Sequence, residues 1–196
     1  MTKRLIGLTG GIATGKSTVA EYLANNHNLP ILDADIYARD AVAVGSPILE
    51  AIAQRYGKQV LLADGNLHRG KLGEIIFNQP EEKNWLESLI HPYVGDRFHQ
   101  VITQSSAPVL ILVIPLLFEA KMDHLASEIW VVSCTLQQQI TRLIQRNNLS
   151  YDQAQARINS QIPLAEKINR ADVVLDNSLT LDFLYQQIDV ALNQIK

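Results

Sequence analysis

Apolar and polar positions along this chain switch between two periods, and the switches outline its elements. Arg4 to Thr9 is a short apolar run that reads as a buried strand. Ser17 to Ala24 carries apolar residues at helical spacing, and Leu29-Pro30-Ile31-Leu32 reads as a second short strand ending at Asp33-Ala34-Asp35. From there to about Ser105 the pattern is helical and no stretch reads as a central strand. Within it, Ile36 to Val42 is expected as a helix with Asp35 as its N-cap. Ser46 as cap and Pro47 at the first helical position start another, running to about Tyr56, where Gly57 closes it. Asp64-Gly65 marks a turn and Gly70 to Phe77 a short helix. Pro80-Glu81-Glu82 opens a further helix with acidic residues in its first turn, as the helix dipole favours. His91-Pro92 is expected to interrupt that helix near its middle, because proline removes a backbone donor and restricts the residue before it.

The second half alternates regularly. Val109 to Ile114 is fully apolar, as a central parallel strand should be, with Pro115-Leu116-Leu117-Phe118-Glu119 at its carboxyl end. Ile129 to Ser133 is the next strand. Thr135 caps a helix through about Asn147 that buries Leu136, Ile140, Leu143 and Ile144, and Ser150 caps another from Tyr151 to about Ser160. Ala171 to Asn177 gives the last strand, and Leu179 to Ile195 the terminal helix. This order predicts the α/β class, a doubly wound parallel sheet of about five strands. The helical stretch from 35 to 106 is an insertion between sheet strands, a suitable place to hold a second substrate.

Composition narrows the picture. The 196 residues are 47% hydrophobic, enough for one good core with a small appended subdomain. Seventeen basic against twenty acidic residues give a net charge of −3, which argues against generic binding to nucleic acid or anionic membrane. The longest apolar run, Val109 to Phe118, is broken by Pro115 and falls short of the roughly 20 residues of a membrane span. The N-terminus passes straight into the first strand rather than reading as a signal peptide, so a cytoplasmic location is expected. The single cysteine, Cys134, excludes an internal disulfide and a Cys-rich zinc site, and is expected as a small core residue.

Between the first strand and the first helix lies Gly10-Gly11-Ile12-Ala13-Thr14-Gly15-Lys16-Ser17, which fits the P-loop pattern G-x-x-x-x-G-K-[ST]. Strand, glycine turn and helix are the context that gives the pattern its chemistry. Glycines let the backbone curl so that successive N–H groups face phosphate oxygens, and the helix adds its positive end. Lys16 can reach the β- and γ-phosphates and the Ser17 hydroxyl can hold a hydrated Mg²⁺. In open α/β sheets ligands lie beyond the carboxyl ends of the strands, where both the loop and Asp33 fall. Asp33 thus reads either as a carboxylate facing the phosphates or as a plain turn aspartate. Arg142, Arg146, Arg157, Lys167 and Arg170 are concentrated in one stretch of an acidic chain, and Arg142 and Arg146 share a helix face. Two readings stand: an ordinary solvated face, or a cationic pair that closes over polyphosphate.

Taken together, the P-loop segment, Asp33-Ala34-Asp35, His91-Pro92, Pro115-Leu116-Leu117-Phe118-Glu119 and the spaced Arg142, Arg146, Arg157 and Gln161 resemble the dephospho-coenzyme A kinase family. The resemblance spans essentially the whole chain. It implies ATP-dependent phosphorylation of the ribose 3′-hydroxyl of dephospho-coenzyme A, with a nucleotide-binding sheet core, a helical acceptor domain at about 35–106 and a lid at about 142–168. By resemblance, Gly10, Gly11, Ala13, Thr14, Gly15, Lys16, Ser17, Thr18, Arg142 and Asn177 bind ATP, and Ser17 holds Mg²⁺. Asp33 is the catalytic carboxylate beside the acceptor hydroxyl, with Lys16 and Arg142, the lid arginine, as its catalytic partners. Asp35, His91, Leu117, Glu119, Arg157 and Gln161 join Asp33 on the acceptor side. Many members have Gly-Ser where this chain has Ala13-Thr14, at variable positions of the loop. The partners implied are small molecules alone. A P-loop GTPase switch would need an Asn-Lys-x-Asp segment after a late strand, and Leu175-Asp176-Asn177-Ser178 does not supply one. A P-loop kinase of another small acceptor, a nucleoside or its monophosphate, is the nearer alternative.

Overall fold

Five strands form one all-parallel sheet in the order β2-β3-β1-β4-β5. They are β1 (Arg4–Gly10), β2 (Ile31–Asp33), β3 (Val109–Val113), β4 (Glu128–Ser133) and β5 (Val173–Asp176). The structure is a computed structural model and describes residues 3–77 and 79–194; the end expected for the last helix at Ile195 lies outside them. The pattern of β3 shows why the sheet is parallel and covered. Ile111 and Val113 join a core with helices α1 (Lys16–His27) and α9 (Leu181–Asn193), while Leu110 and Leu112 point the other way and are equally buried. A strand clothed on both faces must be apolar throughout.

Contacts divide the chain into two units, Ala34–Ser105 and the sheet unit formed by the residues on either side of it. In the sheet unit, α6 (Leu136–Asn147) and α7 (Tyr151–Asn159) begin as expected, each with a capping box: Thr135 with Gln138 and Ser150 with Gln153. The buried face of α6 differs from expectation. Leu136 is 53% exposed, and Gln139, at 3%, lies inside instead. Leu136 is the first residue of the helix, where no preceding turn covers it. A short helix that the periodicity did not reveal, α8 (Leu164–Asn169), follows α7 and carries the fully buried Lys167.

The second unit is helical, with α2 (Ala34–Asp40), α3 (Pro47–Tyr56), α4 (Arg69–Phe77) and α5 (Pro80–Gln104). Ser46 caps α3 by accepting from the Leu49 N–H at 3.1 Å. Two expectations are corrected here. Asp35 is not an N-cap: α2 starts at Ala34, directly after β2, so Asp35 stands in its first turn, where its charge meets the dipole instead. Nor does Pro92 interrupt α5, which runs 25 residues through it. An internal proline costs a helix about 3 kcal/mol. Here Leu86 before it is buried among Leu49, Ile52 and Leu72, and Val94 and Phe98 after it are buried too, so packing on both sides outweighs that cost.

Arg55, Tyr56 and Glu82 staple α3 to α5. The guanidinium forks onto the Glu82 carboxylate at 2.7 and 2.9 Å and lies 4.4 Å above the Trp85 ring, and the Tyr56 hydroxyl donates to the same carboxylate. Its hydrogen bonds from Arg55, then from Tyr56, hold Glu82 down at about 2, from an ordinary 4.5. Desolvation, followed by the bond to Glu82, pushes Tyr56 up to about 12. A carboxyl whose folded pKa is depressed stabilises the fold above its unfolded pKa and loses that contribution as pH falls through the folded one. Glu82 should therefore cost thermal stability between about pH 4.5 and 2. Melting curves across that window should show a steeper loss in the native protein than in Glu82→Gln; parallel curves would refute the staple.

Candidate active site

Gly10 ends β1 and pairs with Val132 of β4. Its φ of 151° brings it so close to that strand that a Cβ would lie 2.4 Å from the Val132 carbonyl oxygen. Gly15, at φ 104°, closes the loop into α1, and a Cβ there would meet the Asn177 amide at 2.1 Å. Ala13 takes φ 60°, a left-handed conformation costing an L-residue about 1–2 kcal/mol. Glycine would be unstrained at this position, and Ala13 is held there by its surroundings.

Those surroundings are side chains. Thr14 Oγ1 donates to the Gly11 carbonyl at 2.9 Å, and Asn177 Nδ2 to the Thr14 carbonyl at 2.8 Å. Arg142, projecting from α6, donates to the carbonyls of Ala13, Thr14 and Asn177 at 3.3, 3.4 and 3.1 Å. The loop's carbonyls are turned outward onto these donors. Lys16 Nζ bends back over the loop, 2.7 Å from the Gly11 and 3.3 Å from the Gly10 carbonyl. Beside the loop is a hollow of about 500 Å³ bounded by Ser17, Thr18, Arg142, Arg146, Asn177 and Leu181. A hollow walled by an arginine and a glycine loop at a helix N-terminus suits a polyphosphate. The Ser17 hydroxyl, exposed in the first turn of α1, is an oxygen donor of the kind Mg²⁺ takes.

The two arginines expected to share a face both border the hollow but are bonded differently. Arg142 is built into the loop's wall, whereas Arg146 donates to the neighbouring Asn147 at 3.0 Å and stays at the surface. Asp33 ends β2. It and Leu8 of β1 both register with Val113, which puts Asp33 two strands, roughly 10 Å, from β1 at the same sheet edge as the loop.

The acceptor-side residues are scattered in character. Leu117 is fully buried and Leu116 exposed. Glu119 Oε1 lies 2.7 Å from Lys167 Nζ and accepts from the Ile162 N–H at 3.1 Å. Gln161 Oε1 accepts from the Ile12 N–H at 2.9 Å, inside the P-loop. Arg157 is exposed in the last turn of α7. In the second unit, Asp35 is exposed and His91 half-buried within α5. Cys134 is buried at the end of β4, and desolvation pushes its thiol pKa up, as suits a core residue. Sequence reading missed Gln139, and it placed Lys167 in the cationic stretch without its burial or its pairing with Glu119. A polar residue at the spacing of a buried helix face was the available signal for Gln139; for Lys167, a lysine among surface-like neighbours, there was none.

Comparison with known proteins extends the likeness beyond the loop. The family model described as dephospho-CoA kinase matches residues 4–182. A dephospho-CoA kinase of Nostoc sp. is 65% identical over 193 residues, covering 98% of each chain. Among solved structures, a Thermus thermophilus protein superposes with a TM-score of 0.85 at 31% identity over the full length of both chains. The dephospho-CoA kinase of Campylobacter jejuni gives 0.72 at 28% identity, covering 97% of this chain and 96% of that one. Matched in sequence and fold over nearly its whole length, with a P-loop walled by an arginine, the chain belongs to the dephospho-CoA kinase family.

Proposed function

We propose that this protein transfers the γ-phosphoryl group of ATP to the ribose 3′-hydroxyl of dephospho-coenzyme A, giving coenzyme A and ADP. The donor half of the reading rests on the loop geometry. The acceptor half is carried by one observation, the likeness to dephospho-CoA kinases along 98% of the chain. The reaction asks little covalent work of a protein; it needs positioning and charge neutralisation. Loop amides and Lys16 hold the donor phosphates, and Arg142 adds positive charge at the same wall. Asp33 orients the 3′-hydroxyl and accepts its proton as the oxygen–phosphorus bond forms. Ser17 would hold Mg²⁺, which supplies further charge neutralisation between the phosphates when bound. The unit Ala34–Ser105 holds the acceptor, with Asp35 and His91 among its contacts, and the segment from Arg142 to about 168 serves as the lid. ATP and dephospho-coenzyme A are the partners proposed, in the cytoplasm; the acidic balance of the chain weighs against nucleic acid and anionic membrane as partners. No helix among the described residues is long and apolar enough to cross a membrane.

An ATP-consumption assay over dephospho-coenzyme A, adenosine, AMP and pantetheine tests this reading. Turnover is expected with dephospho-coenzyme A, with the new phosphate on the 3′ position. Comparable turnover on adenosine or AMP would favour a kinase of another acceptor.

A further inference from the structure

We propose that Gln139 and Gln161 are positioning residues that grip the apex of the P-loop, and that the buried Glu119–Lys167 pair holds Gln161 in place to do so. This deepens the kinase reading and rests on it. Gln161 Oε1 accepts from the Ile12 N–H at 2.9 Å, and Gln139 Nε2 donates to the Ile12 carbonyl at 2.8 Å. Both peptide groups of one loop residue therefore end on side chains from outside the loop. The next residue is Ala13, in its left-handed conformation, which is held only if its neighbours are fixed.

Packing agrees with the hydrogen bonds. Ile12 and Ala13 pack against Ile140, Leu143 and Ala154, the small core between α6 and α7. Gln139 also lies against Gly11: a Cβ there would sit 2.5 Å from its amide nitrogen and would push it off the Ile12 carbonyl. The loop apex is thus part of the α6–α7 hairpin as much as of the sheet.

A chain of bonds fixes the Gln161 end. The N–H of Ile162, the next residue, donates to Glu119 Oε1 at 3.1 Å, and Lys167 Nζ sits 2.7 Å from that same oxygen. Lys167 also reaches the Pro115 carbonyl at 3.4 Å, which Thr9 Oγ1 shares at 3.2 Å. The circuit starts at the loop's base on Thr9, passes the end of β3 and the α7–α8 turn, and returns to the apex at Ile12. Lys167 is fully buried, and a buried cation cannot leave its carboxylate without a large desolvation cost. In the state the structure shows, the turn bearing Gln161 is accordingly fastened against the loop, the position a closed lid would take.

The loop amides that bind phosphate keep their aim only while this grip holds, so its loss should weaken nucleotide binding and leave the acceptor untouched. The family resemblance implies the opposite for Gln161 and Glu119, namely contact with the acceptor. Gln161→Met removes the acceptor oxygen while keeping length and bulk. Losing one such hydrogen bond should raise the ADP Kd and the KM for ATP about tenfold. The KM for dephospho-coenzyme A at saturating ATP, and the melting temperature without ligand, should stay close to the native values. Gln139→Met should give the same pattern and serves if the first variant does not fold. A raised acceptor KM with native ADP affinity would overturn the proposal, and so would a lowered melting temperature with both affinities unchanged. ADP titration by calorimetry needs no acceptor, so the two readings fail separately. Native protein that binds ADP yet transfers nothing to dephospho-coenzyme A would refute only the kinase assignment.

Discussion

Lys16→Ala is expected to remove nearly all phosphoryl transfer while leaving a folded protein. The ammonium is the one side-chain charge inside the loop itself, bent over the carbonyls of Gly10 and Gly11 at the mouth where the β- and γ-phosphates would lie. Removing a donor that meets charge developing in the transition state costs on the order of 10²–10³ in rate. Lys16 is also a ground-state phosphate contact, so the loss in kcat/KM should exceed the loss in kcat. The fold should survive. Thr14 Oγ1 on Gly11, Asn177 on Thr14 and Arg142 on three carbonyls still tie the loop, and α1 keeps its buried Val19 and Leu23. A steady-state assay at saturating ATP and a melting curve check both halves. Near-native turnover would remove the P-loop from the mechanism.

The second large effect is expected at Asp33. It ends β2 at the sheet edge that carries the loop, the place for a group that receives the hydroxyl proton. Asp33→Asn keeps shape and hydrogen-bonding capacity but cannot accept that proton. Turnover should fall about 10²–10⁴-fold, the usual worth of a positioned base, with ADP affinity unchanged. Asp35, two residues on, is the control. In the first turn of α2 it acts on the helix dipole, so Asp35→Ala should cost about 0.3–1 kcal/mol of stability and have a smaller effect on rate. A fast Asp33→Asn enzyme beside a stable but inactive Asp35→Ala enzyme would reverse the two roles.

Much of the framework was legible in the sequence because it depends on neighbours along the chain. Strand runs, capping residues such as Ser46, Thr135 and Ser150, and the glycine pattern of the loop act over at most about eight residues. The same local rule misplaced the start of α2 and the effect of Pro92. An N-cap preference of about 1 kcal/mol and an internal proline of about 3 kcal/mol are each within reach of tertiary burial. Leu86, Val94 and Phe98 supply that burial along α5.

The sequence by itself determined the alternation of strands and helices apart from α8, the phosphate-binding loop, and the place of Asp33 at the end of the second strand. Only the tertiary structure decided which polar side chains hold the loop. Gln139, Gln161, Glu119 and Lys167 act on groups 43 to 149 residues distant along the chain, bonds that leave no periodicity. Arg142 and Arg146, neighbours on one helix face, are bonded differently for the same reason: one finds backbone carbonyls from two other segments and the other finds its neighbour Asn147. Short-range preferences set where elements begin and end. The desolvation of polar groups, which must each find a partner once the chain is folded, set what the loop is fastened to.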